Sequence, residues 1–111
     1  MNPNSNQKRI AFGYNRDCLN QIQLHTGQAA TVKLIYVFYV DGKSNAEIAK
    51  ILESLNIPSP QNKRKWGTQT ISNILSNPHY LGGDSYIPIV DQETYNRVQL
   101  IKRKRAPIFR K

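Results

Sequence analysis

Two short helical patterns, joined by a polar and basic loop, constrain the fold of this sequence more than any other feature, and they lie within residues 42–82. The first pattern opens with a capping box, in which the Ser44 hydroxyl accepts from the Glu47 amide and the Glu47 carboxylate accepts from the Ser44 amide. Apolar residues then recur with helical spacing at Ile48, Ile51, Leu52 and Leu55. Asn56 and Pro58 are typical of a helix end. The pattern therefore predicts an amphipathic surface helix.

The second pattern begins near Thr68, whose hydroxyl suits an N-cap, and ends before Pro78. Its apolar residues share one face and are Ile71, Ile74 and Leu75. The remaining positions carry amides and hydroxyls, whereas a solvated face usually carries Glu and Lys, which are better helix formers. Asn and Gln amides can pair with adenine edges, and Ser and Thr hydroxyls can bond several bases. We therefore favour base contact over an ordinary polar surface for Thr68, Gln69, Thr70, Ser72, Asn73 and Ser76.

The loop between the two patterns, residues 56–67, carries three consecutive cations at Lys63, Arg64 and Lys65. Such cations do not pack together in a core, so they are either solvated or in contact with phosphates beside the second helix, and we favour phosphate contact. Trp66 can stack on a base or close the junction between loop and helices, and we favour the junction. Because a strict helix-turn-helix has a turn of about three or four residues, this loop predicts an expanded variant.

The same stretch resembles a known protein family. The matching positions are Gly42, Lys43, Ser44, Glu47, Ile48, Ala49, Leu52, Ile57, Pro58, Trp66, Thr70, Ile71, Ile74, Leu75, Asn77, Pro78, Tyr80 and Gly82. In this order they resemble the recombinase DNA-binding domain of large serine recombinases, which include phage integrases and transposon recombinases. The resemblance extends from about Gly13 to Arg105. It implies a helical domain that binds part of an attachment site in double-stranded DNA.

The resemblance also implies what this domain does not do. In the family the nucleophilic serine lies in a preceding catalytic domain, and a zinc-binding domain and a coiled coil follow. We therefore expect no serine of this sequence to be catalytic, and we expect other recombinase subunits to be contacted through domains absent here. The parent protein would be a site-specific serine recombinase.

The charge balance agrees with a polyanionic partner. The 111 residues include 16 Lys and Arg against 7 Asp and Glu, a net charge of +9. The sequence has neither a long apolar run nor a hydrophobic signal core, so we expect a cytoplasmic protein without a membrane partner. The length predicts one domain, with a disordered linker at 1–9, the DNA-binding domain at 10–105 and a basic tail at 106–111.

Gln28 to Asp41 is the most apolar run and predicts a core helix, with Gly42 as the residue that follows it. Residues 35–40 would also suit a buried strand, but the length of the run favours the helix. Its inward residues are expected to be Ala29, Val32, Ile35, Tyr36 and Tyr39. Before it, residues 10–14 and 18–24 predict short extended pieces around a turn at residues 15–17.

Residues 80–90 predict a small hairpin around a turn at residues 83–85. Asp91 suits the N-cap of a last helix with Tyr95, Val98 and Ile101 on its apolar face, and a basic segment begins at Lys102. The expected fold class is therefore mainly α with a small β component, a helix-turn-helix-like domain with a short hairpin.

No catalytic or metal-binding pattern emerges from the sequence. One cysteine, Cys18, and two histidines, His25 and His79, do not have metal-ligand spacing. The sequence also lacks a recognisable nucleophile with its base and a glycine-rich phosphate loop. We expect no cofactor, no metal, no small-molecule substrate and no enzymatic activity of this domain alone. Cys18 is expected to be a half-buried thiol, and both histidines to be surface or cap residues.

Two alternatives remain open at this point. A stand-alone helix-turn-helix regulator would bind an operator by itself and would dimerise. A basic RNA-binding or protein-interaction module would also explain the charge, although the sequence lacks the paired aromatics of common RNA-binding sheets.

Overall fold

The computed structural model describes residues 10–83 and 86–105. Over these residues the chain forms a two-stranded antiparallel hairpin followed by four α-helices, with a 3-10 turn between the third and the fourth. The elements are β1 (Tyr14–Arg16), β2 (Ile22–Leu24), α1 (Thr26–Val40), α2 (Asn45–Ser54), α3 (Thr68–Leu75), the 3-10 turn Pro78–Leu81 and α4 (Gln92–Arg105). The predicted class, mainly α with a small β component, is confirmed. In the part of the chain that the structure describes, no helix is long and apolar enough to cross a membrane.

The long helix α1 lies at the centre of the core, as its apolar pattern predicted. The side chains expected to face inward, Ala29, Val32, Ile35, Tyr36 and Tyr39, are all buried. The helix begins before the predicted Gln28 because His25 caps it: the Gln28 amide donates to His25 Nδ1 at 3.1 Å. After its end, Gly42 has φ of 107°, a left-handed conformation that a side chain would disfavour.

The helix α2 carries both bonds of the predicted capping box. The Ser44 amide donates to Glu47 Oε1 at 2.8 Å, and the Glu47 amide donates to Ser44 Oγ at 3.1 Å. Leu52 is fully buried, but Leu55 is 54% exposed and does not continue the apolar stripe. The reason is that the helix ends at Ser54 and the chain changes direction at Asn56, which has φ of 59°.

The β1–β2 hairpin has its turn later than the sequence predicted. Tyr14 to Arg16 pair with Leu24 to Ile22, so the turn spans residues 17–21 and not 15–17. Asp17 causes this shift, because its Oδ1 accepts from the amides of Leu19 and Gln21, each at 2.9 Å. Cys18 is exposed at this turn, so the predicted half-burial of its thiol is wrong.

The segment predicted as a hairpin, residues 80–90, folds back on itself with little strand pairing in its described part. In the described part of this segment a single bridge joins Gly83 and Tyr86, while the turn residues Asp84 and Ser85 lie outside the described residues. Tyr80 explains the difference. Its carbonyl accepts from the amides of both Ile89 and Val90, at 2.8 and 3.0 Å, so these two residues fold back onto one residue.

Two buried tyrosines join the N-terminal segment to this fold-back. Tyr80 Oη donates to the Phe12 carbonyl at 2.7 Å, and Tyr14 Oη donates to the Ile87 carbonyl at 2.6 Å. Burial raises the pKa of Tyr14 to about 12, so its hydroxyl remains a donor across the ordinary pH range.

The last helix, α4, packs on α1 and α3 through the predicted face. Val98 is fully buried, and Tyr95 and Ile101 pack partly buried against the core. At its start, a hydrogen bond from the Thr94 side chain holds the pKa of Asp91 below its ordinary value, as in an N-terminal cap. The predicted linker at 1–9 and basic tail at 106–111 lie outside the described residues.

Candidate nucleic-acid interface

The short helix α3 has one buried face and one exposed face. Ile71 and Leu75 are completely buried, and Ile74 is nearly so. The N-cap is Gly67 and not Thr68, which is already the first helical residue. Among the described residues no side chain caps the amides of this first turn.

The exposed face of α3 carries a pair of amides. Gln69 and Asn73 are both exposed, and Gln69 Nε2 donates to Asn73 Oδ1 at 2.9 Å. This bond uses one N–H of Gln69 and one lone pair of Asn73 Oδ1, so each amide keeps a donor and an acceptor for another partner, one turn apart. Thr68 is exposed beside them, and Thr70 is half-buried.

The hydroxyls of Ser72 and Ser76 face α4, which the sequence did not predict. Both residues are half-buried, and Lys102 Nζ donates to Ser72 Oγ at 3.1 Å and to Ser76 Oγ. Helical spacing predicts that Ser76 points away from the apolar face of α3, on the same side as Gln69, and this prediction is wrong. Ser76 is the C-cap of α3, so helical spacing no longer sets its direction.

The basic loop is fixed at both of its ends. At its start, the Ser59 amide donates to the Lys63 carbonyl at 2.9 Å, and the Lys63 amide donates to Ser59 Oγ at 3.2 Å. At its end, Trp66 is buried, its Nε1 donates to the Ile57 carbonyl and its amide donates to Glu53 Oε2, each at 2.8 Å. Trp66 therefore closes the junction between the loop and the helices, as we favoured.

Between these two anchors the three loop cations are exposed. Lys63, Arg64 and Lys65 precede α3 directly, and no acidic residue occurs between Glu53 and Asp84. Within residues 10–83 and 86–105, the ion pair that forms joins Arg97 and Glu93 on α4, at 3.6 Å. The loop and α3 therefore contribute cations and no carboxylate of their own, and the Glu53 carboxylate of α2 accepts from the Trp66 amide at the end of the loop.

A second pair of amides, on α4, has the same hydrogen bond but differently charged neighbours. On α4, Gln92 Nε2 donates to Asn96 Oδ1, also at 2.9 Å and also on an exposed face. However, Asp91 and Glu93 flank this pair, and their carboxylates repel a polyanion. The pair on α3 has no acidic neighbour in the sequence from residue 54 to residue 83, and three cations precede it.

Both histidines make structural contacts within the described residues. His25 caps α1, and the ring of His79 packs edge-on against Tyr86, with 4.3 Å between ring centroids. The residues that the structure describes contain no group of three or more His, Cys, Asp or Glu placed to hold a metal ion.

Comparison with known proteins gives one family and several similar structures. The family model described as Recombinase matches residues 26–105, which span α1 to α4. A solved structure described as an LSR–DNA complex has a TM-score of 0.69 and 24% identity, and the match covers 88% of this chain and 33% of that one. A second solved structure is described as concerning the sequence requirements of the Listeria innocua prophage attP site. It has a TM-score of 0.70 and 24% identity, and the match covers 88% of this chain and 44% of that one. At this identity the likeness shows the fold, and the chain spans less than half of either solved chain.

Proposed function

Because the chain belongs to the Recombinase family, we propose that it is the sequence-specific DNA-binding domain of a site-specific serine recombinase and holds part of an attachment site. The observation that carries this proposal is the exposed amide pair of Gln69 and Asn73, on a helix that follows a loop with three exposed cations. The two solved relatives support the choice of double-stranded DNA, since one is described as a DNA complex and the other by a prophage attP site.

The proposed recognition element is α3, with its exposed face in the major groove. That groove is about 12 Å wide and admits a single helix. Gln69 and Asn73 lie one turn apart, so they reach neighbouring base pairs, and each amide can pair bidentately with an adenine. Thr68 and Thr70, on the first turn, supply hydroxyls to bases or sugars at the same edge.

Phosphate contacts are assigned to the loop ahead of α3. Lys63, Arg64 and Lys65 are exposed, while Ser59 and Trp66 fix the backbone around them, so their charges remain next to the helix. The uncapped first turn of α3 also presents backbone amides, which favour an anion such as a phosphate. Neither kind of contact carries base information, so together they position α3.

Ser72 and Ser76 have an indirect part in this proposal. Their hydroxyls accept from Lys102 and therefore support α3 from the side that faces α4. We assign strand cleavage and contacts to other recombinase subunits to other parts of a longer recombinase. The reason is that the two solved chains are more than twice as long as the region that matches this chain. We place this recombinase in the cytoplasm, where its DNA would lie.

The proposal is tested by selecting duplexes from a random-sequence pool with this chain and comparing three probes at two salt concentrations. The probes are a selected duplex, a random duplex and a random RNA of equal length. We expect the selected duplex to bind at least roughly a thousandfold more tightly than the random duplex, the lower end for specific DNA-binding proteins. Equal binding of all three probes would contradict sequence-specific recognition, and tighter binding of RNA would favour an RNA-binding module.

A further inference from the structure

Side chains from α1 and α4 hold the C-terminal end of α3. The last carbonyls of a helix have no partner within the helix and must find one elsewhere. Here four of them accept from side chains: Ile74 O from Tyr36 Oη at 2.9 Å, Ser76 O from Tyr95 Oη at 2.8 Å, Leu75 O from Gln99 Nε2 at 2.7 Å, and Ser72 O from Lys102 Nζ at 3.2 Å. Three of these donors belong to α4.

These bonds matter because α3 has little stability of its own. It has 8 residues, and its N-cap is Gly67, which has no side chain to cap the amides of the first turn. Isolated helices shorter than about 12 residues are marginal in water, so the direction of α3 depends on its contacts with neighbouring elements. Tyr95, Gln99 and Lys102 are spaced four and three residues apart, which places all three donors on one face of α4.

Lys102 differs from the cations around it. Its ammonium has three N–H donors, and its three partners are the Ser72 carbonyl, the Ser72 hydroxyl and the Ser76 hydroxyl. All three partners are uncharged, and burial lowers the pKa of Lys102. Arg103 and Lys104, next in the sequence, are exposed. The Lys102 side chain is therefore directed into the protein.

We propose that Tyr95, Gln99 and Lys102, named here the α4 clamp, are positioning residues that fix α3 on the duplex and so control sequence discrimination without touching a base. This inference rests on the proposed function of α3. Bidentate contacts between amides and bases require a narrow geometry, whereas flexible lysines tolerate a small shift of the helix. Loss of the clamp therefore weakens base recognition and leaves phosphate binding intact.

The test combines Gln99→Leu with Lys102→Met, which replace two donors by apolar side chains of similar length. We expect the ratio of affinities for selected and random duplex to fall about tenfold, which is about 1.4 kcal/mol. Affinity for random duplex and its salt dependence should remain those of the wild type. Lys104→Met is the matched control, since it removes an exposed lysine from the same turn of α4, and it should keep the wild-type ratio.

Two results would overturn the inference. An unchanged affinity ratio in a folded double variant would mean that the clamp does not position α3. A decrease of about 0.9 in the slope of log affinity against log salt, the value for one lost phosphate contact, would mean that Lys102 touches DNA directly.

Tyr95→Phe provides a second, milder variant, because it keeps the ring and removes only the donor to Ser76 O. Amide hydrogen exchange should become faster in α3 and remain unchanged in α2. Equal acceleration in all helices would indicate a general loss of stability and would contradict a local clamp. This readout needs no DNA, so it tests the clamp even if the wild-type chain does not discriminate between duplexes and the proposed function fails.

Discussion

Replacing the three loop cations by glutamine tests whether this loop contacts phosphates. The fold should survive Lys63→Gln, Arg64→Gln and Lys65→Gln, because the bonds that Lys63 makes to Ser59 use its backbone amide and carbonyl, and all three side chains are exposed. Each lost phosphate contact reduces the slope of log affinity against log salt by about 0.9, so three contacts give up to about 2.7. Between roughly 50 and 200 mM salt, a slope smaller by 2.7 means about 40-fold less loss of affinity.

Fluorescence anisotropy with selected and random duplexes over a salt series measures both slopes. Affinity should fall for every duplex, while the preference among duplexes should persist, because phosphates carry no direct base information. Lys33→Gln removes one exposed cation from α1 and shows how much the slope changes per charge lost outside the loop. If the triple variant keeps the wild-type slope, the loop is only solvated, and the phosphate contacts have to be sought among the exposed cations that follow Lys102, beginning with Arg103.

Three further predictions concern the stability of the helices. Leu52→Ala should lower the free energy of unfolding by roughly 2–5 kcal/mol, because Leu52 is fully buried. Leu55→Ala, at a 54% exposed site, should change it by less than about 0.5 kcal/mol. Urea titration measures both. Equal effects would contradict the end of α2 at Ser54. Ser44→Ala should cost about 1 kcal/mol through loss of the capping hydroxyl, and an unchanged urea midpoint would refute it.

The third prediction is a pH dependence. The hydrogen bond from the Ser44 amide holds the pKa of Glu47 below its ordinary 4.5. The ionised Glu47 carboxylate therefore stabilises the fold above pH 4.5, and this contribution is lost as the pH falls through the lowered pKa. The stability difference between wild type and Glu47→Gln should therefore shrink on acidification, and a difference that stays constant from neutral to acid pH would be inconsistent with the cap.

Local signals in the sequence were sufficient for much of the fold. The capping box at Ser44 uses residues three positions apart, and the apolar stripe of α1 follows helical spacing, so both were predicted without tertiary information. The burial of Trp66 was also predicted correctly, because an indole between a loop and two helices removes a large apolar area from water when it is buried.

The errors arose where a distant partner decides the local structure. The Tyr80 carbonyl accepts from two amides of the 86–90 segment, so the described part of the predicted hairpin has a single bridge, between Gly83 and Tyr86. Asp17 moves the first turn by capturing two amides of its own loop. Ser76 turns toward Lys102 because α4 covers that side of α3, and nothing near Ser76 in the sequence indicates this.

The α4 clamp was missed although a signal for it exists. Tyr95, Gln99 and Lys102 follow helical spacing, so they form a polar edge beside the apolar residues Val98 and Ile101. From the sequence, Lys102 was predicted to belong to the same basic segment as the cations that follow it. Only the position of α3 separates a lysine that bonds to protein from lysines that face solvent.

The most direct test of the central claim is the double variant Gln69→Ala with Asn73→Ala, measured as the affinity ratio between a selected duplex and the same duplex with single base-pair changes. Each lost base contact should cost roughly 1–3 kcal/mol on the selected duplex and relax preference at one or two base pairs, with binding to random duplex unchanged. Gln92→Ala with Asn96→Ala removes the equivalent amide pair from α4 and should keep the wild-type ratio. If the α3 variant discriminates between duplexes as well as the wild type does, α3 is not the recognition helix.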